Sequence, residues 1–272
     1  MKSIIQGQLY SVGVGTGDSE LLTLKAARLI KQADVVAIPE KTKGRSDSFA
    51  WEIVTGAIGE EEIAGERCFL HFPMTRDASL NVPAWKAAAK QILEHIELGR
   101  SVVFVTEGDP SVFSTWAYVQ EELAEIAPNL TPIIVPGVTS ITAVPAATKI
   151  PLADGQERFC VVPATYGIEC LSQLVHDFDT IMLIKAGRMI PKLIAKLEQL
   201  GIADCATYVS HASCEKQEIY TDLKEVPEGH RYFSMVQLSI RSRRGILRGK
   251  VAEKIGVESV VTEVTTAAVV AG

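Results

Sequence analysis

Apolar residues along the chain fall into short unbroken runs separated by stretches of helical periodicity. Leu9 to Val14 is an apolar run ending among glycines and predicts a buried strand. Leu22, Ala26, Leu29, Ile30 and Ala33 then recur at helical spacing, with Asp18 or Ser19 available as N-cap. Val35 to Ile38 predicts a second strand, stopped by Pro39. Trp85, Ala88, Ala89, Ile92 and Ile96 form a helical stripe that Gly99 can terminate. Ser101 to Val105 predicts another buried strand, and Trp116, Val119, Leu123 and Ile126 a helix that Pro128 closes.

This β-α-β-β-α rhythm predicts an α/β fold with a mainly parallel sheet and helices on both faces. Ligands of such sheets sit at the carboxyl ends of the strands, where the glycine-rich segments of this sequence fall. The pattern restarts after Pro128 with Ile133 to Val135. Phe159 to Val162 and Thr180 to Ile184 follow as strands, then a helix through Ile190, Leu193, Ile194, Leu197 and Leu200 that Gly201 ends. Ala206 to Val209, Glu218 to Thr221 and Tyr232 to Ser239 predict three later strands resembling a meander. A boundary near Pro128–Asn129 therefore divides an N-terminal α/β domain, residues 1–128, from a C-terminal one, residues 129–248. A Val/Thr-rich tail, residues 249–272, takes no role. Lys41 to Ser48 is polar and mixed in charge, and predicts a mobile loop.

Composition narrows the class. A chain of 272 residues with 47% hydrophobic and 22% charged residues can bury a substantial core. No apolar run is long enough to span a bilayer, and the first residues are too polar for a signal peptide, so neither membrane nor secretion is expected. The five cysteines are scattered with no C-x-x-C pair, which predicts neither a disulfide framework nor a zinc site and points to the cytoplasm. The five histidines show no ligand spacing, so no protein-bound metal is expected. A net charge of −6 gives no basic footprint for nucleic acid.

Three segments carry candidate chemistry. The first, Val12-Gly13-Val14-Gly15-Thr16-Gly17-Asp18, joins the first strand to the first helix. Glycines there let backbone approach a ligand, and a helix N-terminus favours negative charge. A dinucleotide site would want a small residue in place of Asp18 and an acidic one after the second strand, for which Glu40 is available. An ordinary Rossmann-type methyltransferase would want an acidic residue where Tyr10 and Ser11 stand. A tight turn with a helix cap fits equally well. The second segment, Thr106-Glu107-Gly108-Asp109-Pro110-Ser111-Val112-Phe113-Ser114-Thr115, begins as a sharp turn directly after a buried strand. The third, Val135-Pro136-Gly137-Val138-Thr139-Ser140, turns the chain into a helix whose Ala143, Ala146 and Ala147 permit close packing.

In this order the three segments resemble the tetrapyrrole methylase family: a glycine-rich loop ending in Asp, a Gly-Asp-Pro loop and a Pro-Gly-x-Thr/Ser helix start. The resemblance covers roughly residues 8 to 240. Leu21-Leu22-Thr23-Leu24-Lys25-Ala26, Ile150-Pro151-Leu152-Ala153, Lys185-Ala186-Gly187-Arg188 and Tyr232-Phe233-Ser234 look like its C20-methylating branch. Thr16 departs from a usual Pro, and Lys149 from a common Gly. The resemblance implies two α/β domains meeting at a cleft, a homodimer, and S-adenosyl-L-methionine held by Gly108, Asp109, Val112, Phe113, Thr139 and Ser140, with Ala186 and Ala212 from the second domain. It implies methyl transfer to the C20 meso carbon of precorrin-2 or cobalt-factor II, a small-molecule tetrapyrrole. Methylation at another macrocycle position or of ribosomal RNA, and non-catalytic tetrapyrrole binding, are the alternatives. Asp18, and more weakly Tyr10, are the candidate bases for the proton lost at that carbon. Gly15 lies on the implied substrate side, and Lys41, Lys43, Arg45, Arg76, Lys185 and Arg188 are candidate partners for the substrate's carboxylates.

Overall fold

Four of the apolar runs become strands of one parallel sheet. The computed structural model describes residues 7–45, 47–229 and 232–240; the tail assigned to residues 249–272 lies outside them. The chain divides into two compact units, the first ending at Ser140 and the second starting at Ile141. In the first unit, β1 (Leu9–Gly13), β2 (Val35–Glu40), β3 (Glu66–His71), β4 (Val102–Thr106) and β5 (Ile133–Val135) lie in the order β3-β2-β4-β1-β5, every pair parallel. Alternate side chains of each strand serve opposite faces. Tyr10, Val12, Val36 and Val103 pack with Ile30 of α1 (Leu24–Gln32) and Val54 of α2 (Phe49–Ile58). Leu9, Val35 and Phe104 pack with Ile92 of α3 (Ala78–Glu97) and Trp116 of α4 (Trp116–Ile126) on the other face. Each fully buried Leu, Ile or Phe contributes roughly 1.5–3 kcal/mol.

Several predicted boundaries shift for local reasons. Thr23 caps α1 by accepting the Ala26 amide at 3.1 Å, while Asp18 caps the short 3-10 turn Ser19–Leu21 before it. The β2 strand runs through Pro39 to Glu40, because its pairing with β4 ends at Ala37 and no bond to that side needs a Pro39 amide. The boundary expected at Pro128–Asn129 moves to Ser140, because β5 pairs with β1 and so completes the first sheet.

The second unit continues α5 (Ser140–Thr148) into β6 (Phe159–Pro163), α6 (Ala164–Gly167), α7 (Leu171–Asp177), β7 (Thr180–Ile184), α8 (Ile190–Gln199), β8 (Ala206–Ser210), β9 (Glu218–Tyr220) and β10 (Ser234–Ser239). Its sheet order is β6-β7-β10-β8-β9, with β6 and β7 parallel and the other pairs antiparallel. The last three strands are thus no simple meander. The β10 strand returns past the β8–β9 pair and inserts between β7 and β8, which buries all six of its residues. Gln237 at its centre accepts the Thr148 hydroxyl at 3.0 Å and donates to the Ile150 carbonyl at 3.0 Å. Lys149 between these two anchors has φ +60°, a left-handed conformation that glycine adopts at less cost.

Candidate active site

A parallel sheet puts all its strand carboxyl ends on one edge. Because β4, β1 and β5 are neighbours, the three sequence segments singled out above stand side by side there. The first two loops pair by backbone: the Val14 amide donates to the Thr106 carbonyl at 2.9 Å, Gly108 to the Gly15 carbonyl at 2.7 Å, and Gly15 to the Gly108 carbonyl at 3.3 Å. The third loop is fastened by Asp109. This side chain is buried, and its two oxygens accept the Ser111 amide at 2.7 Å and the Gly137 amide at 2.9 Å. Asp109 thus organises loop backbone, with both carboxylate oxygens engaged within the first unit.

The glycines explain how the loops come this close. A Cβ on Gly13 would stand 2.4 Å from the Gly108 carbonyl oxygen and 2.7 Å from the Gly137 nitrogen. One on Gly137 would stand 2.2 Å from that oxygen and 2.8 Å from the Gly13 Cα. Gly13 and Gly137 therefore serve contact between backbones, a role the sequence pattern leaves open. Gly15 and Gly108 have φ +90° and +65°, where glycine is favoured.

Beyond Asp109 the second loop presents neutral groups. Val112 is half-buried, while Phe113 is 55% exposed and held at φ +51°. A bulky side chain in that region costs about 1–2 kcal/mol, so the surrounding contacts impose it. One such contact is a 2.8 Å hydrogen bond between the Thr106 and Ser114 hydroxyls; Ser114 also accepts the Trp116 amide at 3.1 Å and so starts α4. Thr139 and Ser140, both half-buried, follow the fastened Gly137 directly. These two neutral, backbone-rich segments fit a ligand held by main-chain hydrogen bonds.

The remaining candidates separate. Asp18 is partly exposed beside Gly17 and accepts the Glu20 amide at 2.9 Å, so it acts as a cap whatever else it does. Tyr10 is 4% exposed and packs in the apolar core with Val12 and Val36. That burial makes its ring part of the first unit's apolar core. Lys41, Lys43 and Arg45 lie exposed in the loop leaving β2, next to β4, and Arg76 lies exposed after β3. In the second unit, Ala186 and Ala212 are buried at the carboxyl ends of β7 and β8. The Ala186 amide donates to the Ser234 carbonyl at 3.2 Å, and the Gly187 amide to the Ser234 hydroxyl at 2.8 Å. Lys185, His211 and Ser213 have φ +57°, +48° and +67°. Three left-handed non-glycine residues at one sheet edge mark it as conformationally constrained. Lys185 and Arg188 are exposed beside it.

Burial pushes the Cys68 and Cys160 thiols up to about 11, so both stay protonated at neutral pH. Among the described residues, no three His, Cys, Asp or Glu side chains converge as metal ligands, and no helix is long and apolar enough to cross a membrane.

The sequence pattern of the Tetrapyrrole (Corrin/Porphyrin) Methylases matches residues 8–227. The chain is 32% identical to a Salmonella typhimurium protein named Cobalt-precorrin-2 C(20)-methyltransferase over 234 residues, 85% of this chain and 96% of that one. It is 29% identical to a Sinorhizobium protein named Precorrin-2 C(20)-methyltransferase over 245 residues, 87% of this chain and 96% of that one. A solved structure of Uroporphyrin-III C-methyl transferase from Thermus thermophilus, complexed with S-adenyl homocysteine, matches with TM-score 0.60 at 24% identity, covering 85% of this chain and 97% of that one. This last likeness is one of fold.

Proposed function

The chain belongs to the tetrapyrrole methylase family, and from that premise we propose that it transfers a methyl group from S-adenosyl-L-methionine to C20 of precorrin-2 or cobalt-factor II in cobalamin biosynthesis. The observation that carries this reading is the similarity over nearly the whole length of the Salmonella C20-methyltransferase. The fastened loops at the first sheet's edge support it independently.

S-adenosylmethionine supplies an already activated methyl group. The chain's own residues therefore need chiefly to place the reactants in line and exclude water. Gly108, Val112, Phe113, Thr139 and Ser140 would hold the cofactor through backbone and small side chains, with Asp109 fixing their loops. We assign Ala186 and Ala212 to cofactor binding as well. Lys41, Lys43, Arg45, Lys185 and Arg188 would meet substrate carboxylates, and we assign Gly15 to substrate binding. Asp18 would accept the proton released at C20. We place the enzyme in the cytoplasm as a homodimer.

The test is turnover with methyl-labelled cofactor, offering precorrin-2 and cobalt-factor II separately and locating the label by NMR. Label at C20 is expected, and the preferred substrate assigns the metal state. Transfer to neither, with the cofactor still bound, would overturn the assignment of substrate.

A further inference from the structure

Two carboxylates are buried among the described residues, Asp109 and Glu40, at 8% and 4% exposure. They lie at the same sheet edge, at the ends of the neighbouring strands β4 and β2, and each accepts the amide of a loop glycine. Asp109 fastens the cofactor loops through Gly137. Glu40 Oε1 accepts the Gly44 amide at 2.9 Å.

The backbone of Glu40 is fixed as well, its carbonyl accepting the Phe72 amide at 3.0 Å. From this post the chain runs out through Lys41, Thr42 and Lys43 and doubles back at Gly44, whose φ of +76° favours glycine. The far side closes through Asp47, which accepts the Thr42 amide at 2.9 Å, and through the Arg45 amide, which donates to the Thr42 carbonyl at 3.1 Å. The Thr42 amide holds the Asp47 carboxyl below its ordinary value. Both acids of the segment thus bind backbone amides, while Lys41, Lys43 and Arg45 lie exposed within five residues. Burying a carboxylate is unfavourable unless it is hydrogen-bonded or paired, and Glu40 meets that condition at the Gly44 amide.

We propose that Glu40 is a positioning residue for substrate recognition, acting through Gly44 to hold the cationic loop Lys41–Arg45 in the shape that binds a polycarboxylate macrocycle. This role rests on the proposed methyl transfer to a tetrapyrrole.

Steady-state kinetics and direct binding test it together. Glu40→Ala raises the macrocycle KM on the order of ten-fold, leaving kcat and cofactor affinity within about two-fold. Glu40→Gln keeps an acceptor for the Gly44 amide and restores the KM. The triple change Lys41→Gln, Lys43→Gln, Arg45→Gln alters exposed positions only; it raises KM likewise and flattens the salt dependence of uroporphyrin III binding, read by fluorescence quenching. Should Glu40→Ala fail to fold, Gly44→Ala strains the same turn in open space and raises KM instead. A wild-type KM and salt slope in the triple variant, or equal losses of kcat, cofactor affinity and KM in Glu40→Ala, would overturn the role. Wild-type protein that binds uroporphyrin III with this loop dependence but methylates neither substrate sinks the methyl-transfer assignment and leaves loop recognition standing.

Discussion

Replacing Asp109 by alanine separates a loop organiser from a residue that merely lines a pocket. The change removes the acceptors of the Ser111 and Gly137 amides, at 2.7 and 2.9 Å. A hydrogen bond to a charged acceptor is worth about 1.5–3 kcal/mol, so two bonds give an upper range near 3–6 kcal/mol. Ser111 and its surroundings are accessible enough for water to replace part of this, which leaves about 3 kcal/mol. If that falls on global stability, the unfolding midpoint drops by about 6–12 °C. If it falls on the order of the loops, cofactor affinity weakens by about two decades, since 1.4 kcal/mol is ten-fold. Differential scanning calorimetry and titration calorimetry with S-adenosylmethionine measure the two shares. Asp109→Asn keeps one acceptor oxygen and places an amide group against the other donor, so it should lose an intermediate amount. Alanine with wild-type midpoint and wild-type cofactor affinity would refute the fastening role.

Four other outcomes follow from the geometry. Gly137→Ala sets a Cβ 2.2 Å from the Gly108 carbonyl oxygen, and should lower stability by about 1–3 kcal/mol and abolish measurable cofactor binding; calorimetry showing a normal complex would contradict the packing. Asp18→Asn keeps the cap acceptor but no longer takes a proton, so kcat should fall by about 10²–10⁴ with cofactor affinity retained; an unchanged single-turnover rate removes Asp18 as base. Lys149→Gly should raise the unfolding midpoint by about 1–3 °C, the relief at φ +60° exceeding glycine's entropy, and a lower midpoint would mean that the lysine side chain contributes. The Ser101 hydroxyl and amide, at 2.6 and 2.7 Å, hold the Asp34 carboxyl below its ordinary 3.8. A depressed folded value gives stability above the unfolded value that is lost as pH falls through the folded one. The gap between wild type and Asp34→Asn in thermal unfolding should therefore close below about pH 4, and a gap constant with pH would contradict it.

Buried strands are legible in this sequence because parallel strands covered on both faces read as unbroken apolar runs. The β3 strand escapes for the converse reason: Glu66, Arg67 and Cys68 lie on an exposed edge and carry no such run. The α2 helix escapes because Phe49–Ile58 is apolar almost throughout, which blurs its period. Strand order is absent from a one-dimensional pattern, so β5 reads as the start of a new domain although it completes the first sheet beside β1. The candidate loops are found by their composition. Their mutual contact is missed, because the sequence does not distinguish a glycine facing a ligand from one facing another glycine. Tyr10 illustrates the same gap, its neighbourhood depending on helices distant in the chain.

The contact of Gly13, Gly108 and Gly137 has a consequence for how this chain can change over evolutionary time. In most packed sites a larger residue at one position can be offset by a smaller one at its neighbour. Here each neighbour is already without a side chain, and the atoms that would collide belong to backbone. No second-site substitution within the trio can make room. Gly13 and Gly137 are therefore held to glycine by backbone alone, with no path of paired exchange between them.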